Sequence, residues 1–203
     1  MANKIIKLHG CSGAGKTTVI RQFMITCILT GEQAAGPNKI LYYRYSHPAI
    51  TEPIFVLGSY ISICGGLDTI ADAQTVMDLI DKLHPQGHVL MEGLLASTYY
   101  GKMGEHSKQF GDDYIYAFLD TPIDVCLERV IARRAAANNT RKFNPDLTRD
   151  KWKTINTLRY KLIAQGHNVK DLEWVAYSNN PLLIEWMQTT EDEEATTPTT
   201  PLK

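Results

Sequence analysis

Short apolar runs alternate along the chain with stretches in which apolar residues recur every three or four positions. Lys4 to Leu8, KIIKL, is the first run; it ends at His9-Gly10 and predicts a strand. Thr17 to Leu29 carries Val19, Ile20, Phe23, Met24, Cys27 and Ile28 at helical spacing, with Gly31 as the stop. Lys39 to Tyr45 is rich in β-formers and predicts a second strand, and Ile54 to Leu57 a shorter third. After the flexible loop Cys64-Gly65-Gly66, Asp68 or Thr69 caps a helix over Ile70 to Leu83, with Val76, Leu79, Ile80 and Leu83 on one face. His88 to Met91 and Tyr114 to Leu119 read as compact buried strands. Pro122 opens a helix that runs to about Ala137, Asp146 to Ala164 is helical, Leu172 to Tyr177 is a last strand and Pro181 to Met187 a terminal helix.

Strands that alternate with helices predict an α/β fold: three layers, a mostly parallel sheet covered by helices on both faces. Such a sheet places its ligand at the C-terminal ends of its strands. The pattern fills residues 1–188 as one domain. The tail 189–203, TTEDEEATTPTTPLK, has four acids against one lysine and lacks core-forming residues, so it reads as disordered and solvating.

Composition narrows the partners. The chain has 203 residues, 44% hydrophobic and 21% charged, and 21 Lys and Arg against 22 Asp and Glu. That suffices for a sizeable core without staples, and the net charge of −1 excludes a uniformly basic nucleic-acid binder, though not a local patch. No run reaches the roughly 18 apolar residues of a membrane span, and MANKIIKLHG is too short in apolar residues for a signal peptide. Cys11, Cys27, Cys64 and Cys126 are scattered without a CxxC pair, which suits reduced thiols in the cytoplasm. His84 and His88 are separated by Pro85 and Gly87, so they read as two solvated imidazoles in a turn rather than as metal ligands.

Gly10-Cys11-Ser12-Gly13-Ala14-Gly15-Lys16-Thr17 fits G-x-x-x-x-G-K-[ST], between a predicted strand and an amphipathic helix. The chemistry explains the residue types. Glycines let backbone N–H groups turn inward around phosphate oxygens, and the following helix adds its positive end. Gly10, Ser12, Gly13, Ala14, Gly15, Lys16, Thr17 and Thr18 are the expected triphosphate contacts. Lys16 reaches the β- and γ-phosphates, and the Thr17 hydroxyl takes one Mg2+ position. No N/T-K-x-D base reader or D-x-x-G switch follows (Asn38-Lys39 runs into Ile40), which argues against a GTPase, and a motor needs more chain than this. A kinase of minimal size remains.

Phosphoryl transfer needs a group that holds magnesium or takes the proton of an attacking hydroxyl. Glu92, at the end of the strand His88 to Met91, is the first candidate for both roles. Asp120 follows another strand but equally reads as the cap of the next helix, and Asp68 faces the site from its loop or caps the helix there. From Glu128 to Lys153 eight basic residues stand against three acids. Arg129 and Arg133 share a helix face, and residues 129–153 read as a basic lid whose guanidinium forks contact phosphate. The same surface can hold a DNA backbone.

GCSGAGKTT and LDTPIDVCLERVIARR resemble the loop and the lid helix of thymidylate kinases and other nucleotide kinases. By that resemblance Arg129 and Arg133 are lid positions. Two departures stand out: Glu92-Gly93 replaces the Asp-Arg pair of thymidylate kinases, and their acceptor motif is not recognisable around Arg44. GSYISICGGLDTI, HVLMEGLLAS and RKFNP resemble a smaller group of bacteriophage P-loop kinases that includes the 5-hydroxymethyluracil DNA kinases. The resemblance covers most of residues 3 to 188. It implies ATP and Mg2+ as cofactors, DNA with a modified pyrimidine as partner, and a step of thymine hypermodification that shields viral DNA from restriction.

Three readings follow. The first is an ATP-dependent kinase acting on the 5-hydroxymethyl group of a uracil in DNA, with Lys16, Glu92, Arg129 and Arg133 catalytic, Thr17 and Glu92 on the metal, Arg44 and Asp68 toward the acceptor, and Tyr99, Tyr100 or Trp152 stacking on an extruded base. The second is a kinase of free nucleosides or nucleoside monophosphates. The third is a nucleotide-dependent ATPase that binds DNA or a protein partner.

Overall fold

The computed structural model describes residues 2–36, 39–62, 65–93, 100–173 and 179–188. Its described strands form one seven-stranded sheet: β1 (Ile5–His9), β2 (Ile28–Gly36), β3 (Lys39–His47), β4 (Ile50–Leu57), β5 (His88–Glu92), β6 (Tyr114–Leu119) and β7 (Val169–Leu172). The strand order is β2-β3-β4-β5-β1-β6-β7. The five strands β4-β5-β1-β6-β7 run parallel, and β2 and β3 extend the β4 edge as an antiparallel hairpin. The chain leaves β1 toward β4 and leaves β6 toward β7. Sequence order therefore reverses between two neighbouring strands, which is where an open α/β sheet forms its ligand crevice.

The central strands are apolar almost throughout because both faces are covered. Every residue of β1, β5 and β6 is buried. The helices are α1 (Lys16–Ile25), α2 (Ala73–Leu83), α3 (Gly101–Ser107), α4 (Ile123–Ala136), α5 (Pro145–Ala164) and α6 (Asn179–Met187). α1 packs against α6, α2 against α3, and α4 against α5. No described helix is long and apolar enough to cross a membrane.

The α/β alternation is as expected, but several boundaries are not. The helix expected over Thr17 to Leu29 stops at Ile25, where the Thr26 hydroxyl and amide both donate to the Phe23 carbonyl. Ile28 and Leu29 open β2, and Gly31 lies inside it. Pairing with β3 overrides the helical spacing, helped by the β-branched residues around the junction. The second helix starts after Asp72, whose carboxylate accepts the Thr75 amide at 2.8 Å, so neither Asp68 nor Thr69 caps it. Asp68 and Thr69 sit instead in a short 3-10 turn. α3 carries too few apolar residues to be read from the sequence. The last strand is shorter and earlier than Leu172 to Tyr177; residues 174–178 of that expectation, and the tail from Thr189, lie outside the described residues.

The two histidines also differ from the expectation of a solvated pair. His88 is buried at the start of β5, where its Nδ1 accepts the Lys4 amide at 3.0 Å. Burial lowers its pKa, against the pull of Glu52 3.6 Å away. His84 is half-buried, with Nε2 2.8 Å from the Asn3 carbonyl. Both imidazoles hold the first strand to the α2–β5 connection. Cys11, Cys27 and Cys126 are free thiols, and Cys64 lies outside the described residues.

Candidate active site

Gly10 to Thr17 links β1 to α1 at the strand-order reversal. The turn requires left-handed backbone at Gly13, φ 84°, and Gly15, φ 101°. A Cβ on Gly13 would also collide with the Cys126 carbonyl, so the loop lies directly on the first turns of α4. The Ala14 amide donates to the Cys11 carbonyl at 3.2 Å. Gly15 is the N-cap of α1, and no side chain caps that helix end. Its first amides and the positive end of its dipole therefore face the concave side of the loop. Lys16 is buried; its ammonium crosses the loop and donates to the carbonyls of Gly10 at 2.7 Å and Cys11 at 3.3 Å. Ser12 and Thr17 are half-buried and Thr18 is exposed.

Glu92 ends β5, in register with Leu8 of β1, two residues before the loop begins. That register brings its carboxylate to α1, where the Thr17 hydroxyl donates to Oε1 at 2.7 Å. Glu92 is 2% exposed. Its pKa is raised chiefly by burial and further by the charge of Asp68, while Lys16, the Thr17 hydrogen bond and Arg21 act in the opposite direction. Asp68 stands nearby: a Cβ on Gly93 would lie 3.2 Å from its Oδ1, and one on Gly66 would press on the Glu92 carboxylate. The structure thus gathers Lys16, Thr17, Glu92 and Asp68 at one strand end. Among the described residues no group of three or more His, Cys, Asp or Glu could hold a metal. The donor set is a hydroxyl and a carboxylate, which suits a magnesium ion that takes its other ligands from phosphate and water.

Arg129 of α4 donates from Nη1 to the Gly13 carbonyl at 3.4 Å, so this arginine reaches the loop. Arg133, one turn further, lines a cavity beside Ser12. Arg44 does not join them. It is exposed on β3, opposite Phe55 in the middle of β4, on the outer part of the sheet. Asp120 is exposed, and its amide donates to the Leu172 carbonyl. Trp152 is turned inward: its indole donates to the Thr121 carbonyl at 3.2 Å and its ring packs on the core. The Tyr100 hydroxyl is 3.0 Å from His167 Nε2, and Tyr99 lies outside the described residues.

Three residues at the site were missed. Thr121, buried after β6, donates to the Ala14 carbonyl at 2.8 Å and fastens the loop to the neighbouring strand. Arg21 of α1 donates to the carbonyls of Tyr60 and Ser62 and ties the helix to the segment after β4. Its spacing of four from Thr17 was the available signal. Tyr60 is buried with its hydroxyl lacking a partner among the described residues, and burial followed by the Glu92 charge raises its pKa.

No family model matches the chain. It is 35% identical over 181 residues to a protein named 5-hmdU DNA kinase in Pseudomonas phage M6, which covers 84% of this chain and 91% of the relative. A protein of the same name in Pseudomonas phage PaMx11 is 32% identical over 168 residues, covering 80% and 87%. One in Bacillus phage SP10 is 27% identical over 177 residues that make up only 25% of that longer protein. With an α/β sheet consistent with a kinase-like fold, these relatives make the chain a phosphotransferase. It belongs to the 5-hmdU DNA kinase family.

Proposed function

We propose that the chain transfers the terminal phosphoryl group of ATP to the 5-hydroxymethyl oxygen of 5-hydroxymethyluracil in DNA. The observation that carries the chemistry is the meeting of Thr17 and Glu92 beside the loop that Lys16 crosses. The acceptor is carried by the names of the relatives. In this reading the amides from Gly13 to Thr18 cradle the phosphates, and Lys16 leaves the Gly10 and Cys11 carbonyls to neutralise them. Thr17 and Glu92 would hold magnesium, which supplies charge neutralisation on the β- and γ-phosphates when bound.

The acceptor oxygen forms a bond to the γ-phosphorus as the bond to the β,γ-bridging oxygen breaks, and ADP leaves. The hydroxymethyl proton passes to Glu92. Arg129, which reaches the Gly13 carbonyl, stabilises charge on the transferring group from the lid side. Asp68 bounds the acceptor side. Arg44, exposed on β3 opposite Phe55, is given no part in the proposal. A base in duplex DNA has to leave the stack to reach Glu92. The relatives being phage proteins, the reading places the reaction in an infected cell.

Purified protein incubated with γ-labelled ATP, magnesium and separate acceptors tests this. Label is expected on DNA containing hydroxymethyluracil and not on thymine DNA or free nucleotides. Label confined to free nucleosides or monophosphates defeats the acceptor assignment. Phosphate release with no labelled acceptor defeats the transfer itself.

A further inference from the structure

A cavity of 460 Å³ opens between the C-terminal half of α4, the segment 137–144 and the first turn of α5. Its volume is that of an ordinary small-molecule site, large enough for a nucleotide. It meets the phosphate loop only at Ser12; Lys16, Thr17, Glu92 and Arg129 do not line it. It is therefore a neighbour of the loop rather than part of it. The proposed function sets the donor's phosphates on the loop amides and Lys16, and of that loop only Ser12 lines this space.

Its walls define the chemistry of that ligand. Arg133, Arg134 and Lys142 line it, and no carboxylate does. Arg133 and Lys142 form no ion pair among the described residues. Three unbalanced cations around one cavity call for an anion. Arg134 is already oriented: its guanidinium donates to Asn139 Oδ1 at 3.3 Å and to the Arg141 carbonyl, and it stands 5.6 Å from the centre of the Phe143 ring. A planar cation beside an aromatic ring forms the kind of surface on which nucleic-acid bases stack in sequence-independent sites. Asn144, also on the wall, caps α5 by accepting the Asp146 amide at 2.9 Å and so fixes one rim.

We infer that this cavity holds a nucleotide of the DNA strand adjacent to the acceptor base, its phosphodiester on Arg133, Arg134 and Lys142 and its base against Phe143. The inference rests on the DNA reading of the acceptor. It explains how a chain of net charge −1 engages a polyanion: the positive charge is concentrated at one cavity next to the chemistry.

The test is fluorescence anisotropy with fluorescein-labelled single-stranded DNA containing thymine only, without ATP, across a salt series. Lys142 is exposed, so Lys142→Gln leaves the fold undisturbed. It is expected to weaken binding and to lower the slope of log affinity against log salt by about one. Phe143→Ala is expected to weaken binding about tenfold with the salt slope unchanged. Lys82→Gln, on exposed α2 surface, serves as control and leaves binding as it is. Titration calorimetry of Mg-ATP is expected to give the same affinity for all four proteins. Reduced Mg-ATP affinity with unchanged DNA binding in the cavity variants would make the cavity a donor subsite and overturn the inference. DNA binding equal to wild type in both cavity variants, or no DNA binding by the wild type, overturns it as well. The acceptor reading fails on a different measurement, the transfer assay with labelled ATP, so the two failures are told apart.

Discussion

Thr17 and Glu92, 75 positions apart in the sequence, share a hydrogen bond of 2.7 Å where the glycine-rich loop enters α1. The bond exists because β5 pairs with β1 in a register that sets Glu92 beside Leu8. It leaves a buried carboxylate near a lysine and a second acid, with burial as the chief cause of its raised pKa.

Glu92→Gln bears on both catalysis and stability. The substitution keeps the shape and removes the proposed base, so kcat is expected to fall by about two to four orders of magnitude, and Mg-ATP affinity to weaken because an amide is a poorer magnesium ligand than a carboxylate. Stability moves the other way. A carboxyl whose folded pKa is raised costs folding energy wherever it is ionised, and that cost vanishes once both folded and unfolded forms are protonated. Glu92→Gln is therefore expected to melt higher than wild type at neutral pH, with the gain shrinking as pH falls through the raised pKa and below the ordinary carboxylate range. Thermal melts of both proteins across that range check it; equal melting temperatures at neutral pH would show that the burial of Glu92 is fully compensated.

Lys16→Ala addresses the loop. The ammonium bonds to two loop carbonyls on the site side and is not part of the apolar core. Its loss is expected to leave the circular dichroism spectrum intact and to lower transfer by about a hundredfold or more, as removal of one charge-stabilising donor does elsewhere. Transfer at the wild-type rate would mean that the triphosphate is held somewhere else.

Thr121→Val tests the anchor that the sequence did not betray. The Thr121 hydroxyl is buried and donates to the Ala14 carbonyl, so the isosteric valine leaves that carbonyl without its partner. A loss of about 1–3 kcal/mol in urea denaturation is expected. Weaker Mg-ATP binding is expected with it, because the loop loses its tie to β6, and Thr121→Ser should restore both. A valine variant as stable as wild type would reduce Thr121 to packing.

What the sequence disclosed and what it withheld follow from the range of the interactions. The glycine-rich turn between β1 and α1, the strand that ends in Glu92 and the helix bearing Arg129 were legible because each is a local pattern: glycine spacing, a short apolar run, arginines one turn apart. β2 was not, since Ile28 and Leu29 continue the helical spacing of α1 and only pairing with β3 makes them a strand. His88 read as solvated because nothing local reveals that the Lys4 amide, 84 positions away, needs an acceptor. Arg44 was named for the acceptor from its place in the second predicted strand, and the structure sets it, exposed, on β3, one strand in from the sheet edge that β2 forms. Thr121 fits a turn before a helix as well as it fits an anchor, and the difference lies wholly in the tertiary contact with Ala14.

Lys7 carries the last prediction. It sits in the middle of β1, in register with Met91 and Tyr116, and is 2% exposed. Burial pulls its pKa from 10.5 to about 7. The unfolded chain therefore binds a proton that the folded chain sheds between those two values, so wild-type stability is expected to rise with pH from about 7 toward 9, by up to about 1.4 kcal/mol per pH unit. Lys7→Met, close in volume and uncharged, removes this dependence. At about pH 7 it is expected to be the more stable protein, by an amount on the order of 4 kcal/mol from the linkage alone. Urea denaturation of both proteins over that interval measures it, and the difference between the two profiles isolates Lys7 because the thiols and phenols are common to both. Parallel profiles would show that the Lys7 ammonium stays protonated inside the sheet.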